Sequence, residues 1–251
     1  MNLSPSFRSA LARLRRLVFP PPPPPPAGDF YQVRAAIAAR YLSGNGLEIG
    51  ALNQPIPLPP AAKARYVDRL TVEELRRHYP EYRNQTLVPV DVVDDGERLA
   101  TIPDESVDFL IGNHLIEHCE DPIGALRHWL RVVRPGGILY LAAPDKDKTF
   151  DQPRPLTPFE HLERDWCEGP AWSRMGHYEE WMALVAKTPA AEVKQKAEET
   201  ARTGYSIHFH VWTPASFRDF LDRCRRLIRP RFRIVECVPN GLELIVILRR
   251  G

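Results

Sequence analysis

Apolar positions change period along this chain, and each change marks a boundary. Leu3, Phe7, Leu11, Leu14 and Val18 recur every three or four residues, which predicts one apolar stripe on a helix over residues 1–19. Arg8, Arg13, Arg15 and Arg16 fall off that stripe, and Ser4 followed by Pro5 supplies a cap and a first helical position. The run Pro20 to Pro26 ends the helix and predicts a stiff spacer over residues 20–28, because polyproline II extends ~3.1 Å per residue. From residue 29 to 251 the pattern becomes that of a globular domain.

Within that domain, helical and strand-like stretches alternate. Val33, Ala36, Ile37 and Tyr41 share one helical face, and the helix is expected to end near Ser43-Gly44. Gly46–Gly50, Arg65–Asp68, Leu87–Val93, Val107–Ile111 and Ile138–Ala142 read as short buried strands. Thr71 with Glu74 predicts a capping box that opens a helix to about Tyr79. Asp121-Pro122 opens another, expected to run to Arg134 and to stop at Pro135-Gly136-Gly137. Strands alternating with helices argue for an α/β fold, a doubly wound and mostly parallel sheet. The alternation breaks over 145–212, a helical insertion with helices starting at Thr157-Pro158, over Met175–Lys187 and over Ala190–Arg202, then an extended stretch Ile207–Trp212. Thr213-Pro214 caps a last helix reaching about Ile228. Phe232–Val238 and Leu242–Leu248 are joined at Asn240-Gly241, a hairpin signal that makes the end of the sheet antiparallel.

Composition narrows the class of protein. The chain has 251 residues, 34 Lys plus Arg against 32 Asp plus Glu, and a net charge of +2, which does not suggest a nucleic-acid partner. Four arginines and no acid lie in residues 1–19, so the remaining residues carry a net −2. The mild basicity therefore belongs to the N-terminal helix, where peripheral membrane or protein contact is an alternative to docking on the chain's own domain. The longest aliphatic run, Leu244–Leu248, is far short of a membrane span. Cys119, Cys167, Cys224 and Cys237 form no C-x-x-C pair, which fits reduced thiols in a cytoplasmic protein.

Ligands of open parallel sheets bind beyond the carboxyl ends of the strands. Those ends carry Glu48-Ile-Gly50-Ala51, then Asp68, then Asp94, Asp95 and Glu97, then Asn113-His114. Acids at such positions suit ribose hydroxyls and an exocyclic amine, whereas no G-x-x-x-x-G-K or G-x-G-x-x-G loop offers a phosphate cradle. A nucleoside-bearing cofactor without pyrophosphate is the expectation. The order Leu-Glu-Ile-Gly50, Tyr-Val-Asp68, Asp95-Gly-Glu-Arg-Leu99, Pro103-Asp-Glu-Ser-Val-Asp-Phe109, Asn113-His-Leu-Ile-Glu-His118, Asp121-Pro122 and Arg131-Val-Val-Arg-Pro-Gly-Gly137 resembles class I S-adenosylmethionine-dependent methyltransferases, and among them the type-11 group. The resemblance implies a seven-stranded, Rossmann-like sheet with an antiparallel last strand, and S-adenosyl-L-methionine as cofactor. It implies that Glu48, Gly50 and Ala51 form the turn at the methionine part and that Asp68 takes the ribose. Asp95, or its neighbour Asp94, would face the adenine amine, with Asn113 and His114 bordering the cofactor. Leu52 and Gln54 stand where this family commonly has glycine, which keeps open a non-catalytic binding or scaffold domain as the alternative function.

Two further constellations bear on chemistry. His114-Leu-Ile-Glu-His118 matches H-x-x-E-H, which on a helix would make a zinc hydrolase site. Its place after a strand within the methyltransferase-like series argues instead for a structural turn. The insertion carries His161, His177, His208 and His210 with many carboxylates. A methyl acceptor that is a hydroxyl must lose a proton, so His161, His177 and His210 are the candidate catalytic residues. Metal binding by the same set is the second reading, and no metal site is assigned. Trp166, Trp172, Tyr178, Trp181 and Trp212 suit either an acceptor wall or a local core, with Trp181 and Trp212 favoured as core. The expected acceptor is a small molecule or glycan.

Overall fold

The computed structural model describes residues 29–251; the basic helix and proline spacer expected over 1–28 lie outside the described residues. In chain order the main elements are α1 (Asp29–Tyr41), β1 (Gly44–Ile49), β2 (Ala62–Asp68), α2 (Val72–His78), β3 (Val92–Val93), β4 (Val107–Asn113), α3 (Pro122–Val132) and β5 (Val133–Pro144). Then follow α4 (Phe159–Glu168), α5 (Arg174–Leu184), α6 (Val193–Arg202), α7 (Pro214–Leu227), β6 (Phe232–Asn240) and β7 (Glu243–Arg250). One seven-stranded sheet has the order β3-β2-β1-β4-β5-β7-β6. Strands β1 to β5 pair in parallel, and β7 runs antiparallel to both β5 and β6.

Period-2 alternation splits the central strands between two cores. Leu110, Leu139, Leu141, Val246 and Leu248 join the side covered by α3 and α7. Phe109, Ile111, Ile138, Tyr140, Ile245 and Ile247 join the side covered by α1. Gly46 in β1 is required by packing, since a Cβ there would stand 2.3 Å from the Phe109 ring. Among the described residues no helix is long and apolar enough to cross a membrane.

Local signals set most boundaries. Thr71 and Glu74 form the expected capping box of α2, and Thr213 with Ser216 forms one for α7. The expected hairpin closes at Asn240-Gly241, with Gly241 at φ 59°. Three boundaries differ from expectation for identifiable reasons. Strand β3 is two residues rather than Leu87–Val93, because Pro89 offers no N–H and the Asp91 carboxylate, not a strand carbonyl, accepts the Tyr66 N–H at 2.8 Å. Helix α3 stops at Val132, and Val133 already pairs with Val107. The residue before Pro135 avoids helical backbone, and β5 recruits the Arg134–Gly137 stretch. Thr157 does not cap α4; its hydroxyl accepts the Val211 N–H at 3.1 Å and ties the insertion to the 207–212 segment.

The insertion builds a small core of its own. Tyr178, Trp181, Met182, Ala197, Ile207 and Phe209 cluster there. Trp181 and Trp212 are buried as expected, Tyr178 is buried with them, and Trp172 is exposed.

Candidate active site at the carboxyl ends of the strands

The turn after β1 has the shape a close-lying ligand needs. Gly50 sits at φ 65°, and a Cβ built on it would meet only Leu115 Cδ1, at 3.9 Å, so the space above it is open. Leu52, where glycine was the expected residue, keeps the left-handed conformation at φ 52° at a cost of roughly 1 kcal/mol. The turn therefore retains its form without the glycine. Glu48 is buried below it and accepts the Ile56 N–H at 3.0 Å. Burial pushes its carboxyl up to about 7, against that hydrogen bond and the Arg34 charge.

The neighbouring acids differ in what they can still bind. Asp68 ends β2, with Oδ1 accepting the Leu70 N–H at 3.2 Å, and burial raises its carboxyl above the usual range. Asp94 is committed to its own loop: Oδ1 accepts the Asp95 N–H, and Oδ2 accepts both the N–H and the hydroxyl of Thr101. Those bonds fix the loop and leave Asp95, whose Oδ1 takes only the Glu97 N–H, as the freer acid. Asn113 ends β4 with both side-chain amide atoms buried and in no well-formed hydrogen bond, although the amide lies close enough to Glu48 to lower its carboxyl. An open glycine turn, an acid at the end of β2 and an unsatisfied amide at the end of β4 fit a nucleoside-bearing cofactor such as S-adenosylmethionine. Ala51 is buried and completes the turn's floor.

Beyond β4 the chain makes a short 3-10 turn, Ile116–His118, rather than a helix. His114 and His118 consequently part company, and the H-x-x-E-H match does not build the helical zinc hydrolase site. His114, at φ 47°, places Nε2 2.7 Å from Glu243 Oε2 and Nδ1 3.5 Å from Glu117 Oε1. His118 Nδ1 lies 2.9 Å from both the Ile207 carbonyl and the Ser206 hydroxyl. Glu117 is completely buried, and neither of its carboxylate oxygens has a hydrogen-bond partner. Burial raises its carboxyl, and the nearby His114 and His208 pull the other way.

His208 is the residue sequence reasoning passed over. Its Nδ1 is 2.5 Å from Asp151 Oδ2, and its Nε2 is 4.0 Å from Glu117 Oε1. Arg154 donates to Asp151 Oδ1 at 3.0 Å, to the His208 carbonyl and to the Phe209 carbonyl. Despite burial, these partners hold the Asp151 carboxyl below its usual range. Exposed Phe150 packs on the His208 ring with centroids 4.8 Å apart. The i, i+2 spacing of His208 and His210 predicts that both face one side of an extended segment, yet His208 joins Asp151 whereas His210 joins Asp165.

His161, His177 and His210 do come together, around a fourth residue. His161 Nε2 is 3.0 Å from His177 Nε2 and 3.1 Å from Asp165 Oδ2, and His210 Nε2 is 3.7 Å from the same oxygen. Asp165 and His210 are fully buried and His177 nearly so. Burial, and then neighbouring imidazoles, push His177 down to about 4 and His210 well below the histidine range. A cavity of about 290 Å³ lined by Arg127, His128, Arg131, Arg229 and Arg250 lies at the opposite end of the sheet, near the start of β4, away from all of these groups.

Comparison with known proteins agrees with this geometry. Residues 61–141 match the family described as Methyltransferase domain. A Mycolicibacterium smegmatis protein described as a candidate S-adenosylmethionine-dependent methyltransferase is 32% identical over 103 residues, 40% of this chain. The chain spans only 37% and 31% of the lengths of two curated relatives, the second from Streptomyces fradiae. A Rhodobacter sphaeroides crystal structure described as a candidate Zn-dependent alcohol dehydrogenase superposes with a TM-score of 0.51 at 14% identity, covering 96% of this chain and 98% of that one, a likeness of fold. A SAM-dependent methyltransferase from Aquifex aeolicus gives 0.45 at 12% identity, over 99% of this chain and 98% of its own. The reversed last strand of the sheet, the family match across β2 to β5 and the mycobacterial relative converge on one likeness: residues 61–141 are similar to the class I S-adenosylmethionine-dependent methyltransferases, enzymes whose cofactor is S-adenosylmethionine.

Proposed function

We propose that this domain methylates a hydroxyl of a small-molecule or glycan-type acceptor bound between the β4 turn and the 145–212 insertion. The observation that carries the reading is Glu117, a buried carboxylate with neither oxygen hydrogen-bonded, whose Oε1 faces His114 Nδ1 at 3.5 Å and His208 Nε2 at 4.0 Å. Bound S-adenosylmethionine supplies an electrophilic methyl group on a sulfonium. Gly50, Asp68, Asp95 and Asn113 hold and orient it. Glu117 accepts the proton of the acceptor hydroxyl, and its raised affinity for protons brings it closer to the strength a base needs at neutral pH. His208, fixed by Asp151, stands ready to share that proton. Exposed Phe150 and Trp172 supply flat apolar faces of the kind that stack on a sugar ring.

The test is calorimetry with S-adenosylhomocysteine, followed by transfer of labelled methyl to a panel of hydroxylated metabolites and oligosaccharides. Wild-type protein binds the cofactor product, and Asp68→Ala abolishes binding. Glu117→Gln keeps binding and loses transfer by about 100-fold or more. Transfer confined to amines or carbons would refute the hydroxyl acceptor. The glycine-poor turn at Leu52 favours the non-catalytic alternative only if wild-type protein fails to bind at millimolar ligand.

A further inference from the structure

We propose that His161, Asp165, His177 and His210 form a structural binding site for a divalent zinc-class cation that staples the insertion together. The four come from three separate pieces of chain. His161 and Asp165 share one face of α4 at i, i+4 spacing. His177 comes from α5 and His210 from the extended segment after α6. All four donor atoms lie within 4.8 Å of one another. The three imidazoles crowd together with ring centroids 4.9 to 5.7 Å apart and planes at 70° to 81°.

The distances suit a metal better than they suit a proton network. A tetrahedral site with bonds of about 2.0–2.1 Å has donor–donor edges of about 3.3 Å. Three of the six edges are 3.0, 3.1 and 3.7 Å, and all six lie within 4.8 Å. Without a cation the group is poorly satisfied. Two nitrogens 3.0 Å apart can share only one proton, and fully buried Asp165 Oδ2 has no hydrogen-bond partner. One dication at the centre satisfies all four donors. The competing partner is the Glu120 carbonyl, a long 3.3 Å from His210 Nε2.

Supporting contacts are also in place. The Ser173 hydroxyl donates to Asp165 Oδ1 at 2.7 Å, which orients the carboxylate and leaves Oδ2 facing the imidazoles. Four protein donors with little exposure make a closed site, the arrangement of structural rather than catalytic zinc. The residues that sequence reasoning offered as a base then hold the insertion in shape, and the proton transfer falls to the separate Glu117–His208 group.

The test takes the full chain without a histidine tag, strips it with chelator, and titrates it with Zn²⁺ and with Co²⁺. Wild-type protein is expected to take up a single equivalent of either ion, and the cobalt form to show the strong visible absorption of a four-coordinate site. Asp165→Asn and His161→Ala are expected to weaken binding more than about tenfold, and Ser173→Ala by about tenfold. His208→Asn is expected to bind as wild type does, which separates this site from the neighbouring group of Glu117, His118 and His208, whose ligand atoms also lie within 4.8 Å of one another. Hydrogen exchange is expected to slow in α4 and α5 on metal addition and to stay constant in β4 and β5. The assignment is overturned if wild-type protein binds neither ion at micromolar concentration. It is equally overturned if uptake survives Asp165→Asn or is lost in His208→Asn alone.

Discussion

Glu48 shows how a single buried residue makes this domain sensitive to pH. Its carboxyl is raised to about 7 in the folded protein by burial, against an ordinary value of 4.5. Between those values the folded state holds a proton that the unfolded chain has released, so stability falls as pH rises through the window. Glu48→Gln keeps an oxygen for the Ile56 N–H and removes the titration. The variant is therefore expected to melt higher than wild type at pH 8, by up to about 3 kcal/mol in stability, and to match it at pH 5. Thermal melts at the two pH values check this, and an equal difference at both would refute it. Asn113 is a residue of the opposite kind, neutral and unsatisfied. Asn113→Ala is expected to weaken S-adenosylhomocysteine binding and, because the Asn113 amide lies beside Glu48 and lowers its carboxyl, to strengthen proton binding at Glu48. Calorimetry beside melts at the same two pH values separates the two effects.

At the scale of elements, helices α3 and α7 carry the larger core. Phe217, Phe220, Leu221 and Cys224 of α7 fall at helical spacing and are all buried. The helix starts at the Thr213–Ser216 capping box. Thr213→Ala is expected to cost about 1 kcal/mol through loss of the cap, measurable by urea unfolding. Trp129 in α3 is fully buried, and its Nε1–H donates to the Gly96 carbonyl at 2.7 Å. Trp129→Ala is expected to cost about 3–5 kcal/mol. It also frees the loop that presents Asp95, so cofactor affinity is expected to fall with stability. Thr213→Ala, far from that loop in sequence, is expected to leave affinity unchanged. The contrast tests whether α3 positions the site as well as the core.

Over the whole molecule, one buried ion pair closes the domain from its first helix to its last strand. Arg34 of α1 donates to Glu243 of β7 at 2.6 and 3.0 Å, and Glu243 also receives His114 and the Asn240 amide. Although burial opposes ionisation, these partners hold Glu243 at about 2. The stability this contributes is complete above the unfolded carboxylate value and disappears as pH falls from about 5 toward 2. Glu243→Gln leaves Arg34 buried without its counter-charge and is expected to cost about 3–5 kcal/mol at pH 7. Its melting temperature should also vary less than that of wild type between pH 5 and pH 3. A parallel fall in both proteins would show that other acids control acid unfolding.

Sequence and tertiary structure divided the work along physical lines. Periodicity, capping pairs and hairpin residues act over a few neighbouring positions. They therefore marked β1, α2, α7 and the terminal hairpin, and put Gly50, Asp68 and Asn113 at the carboxyl ends of strands, where open parallel sheets generally bind ligands. Packing between distant segments decided the rest. It shortened β3 through the Asp91 carboxylate and bound Asp94 into its own loop with Thr101. It also buried Glu117 without a hydrogen bond and sent His208 and His210, two residues apart, into different side-chain groups. No local pattern carries such information, because where a side chain arrives depends on how α4, α5 and the 207–212 segment pack against the end of β4.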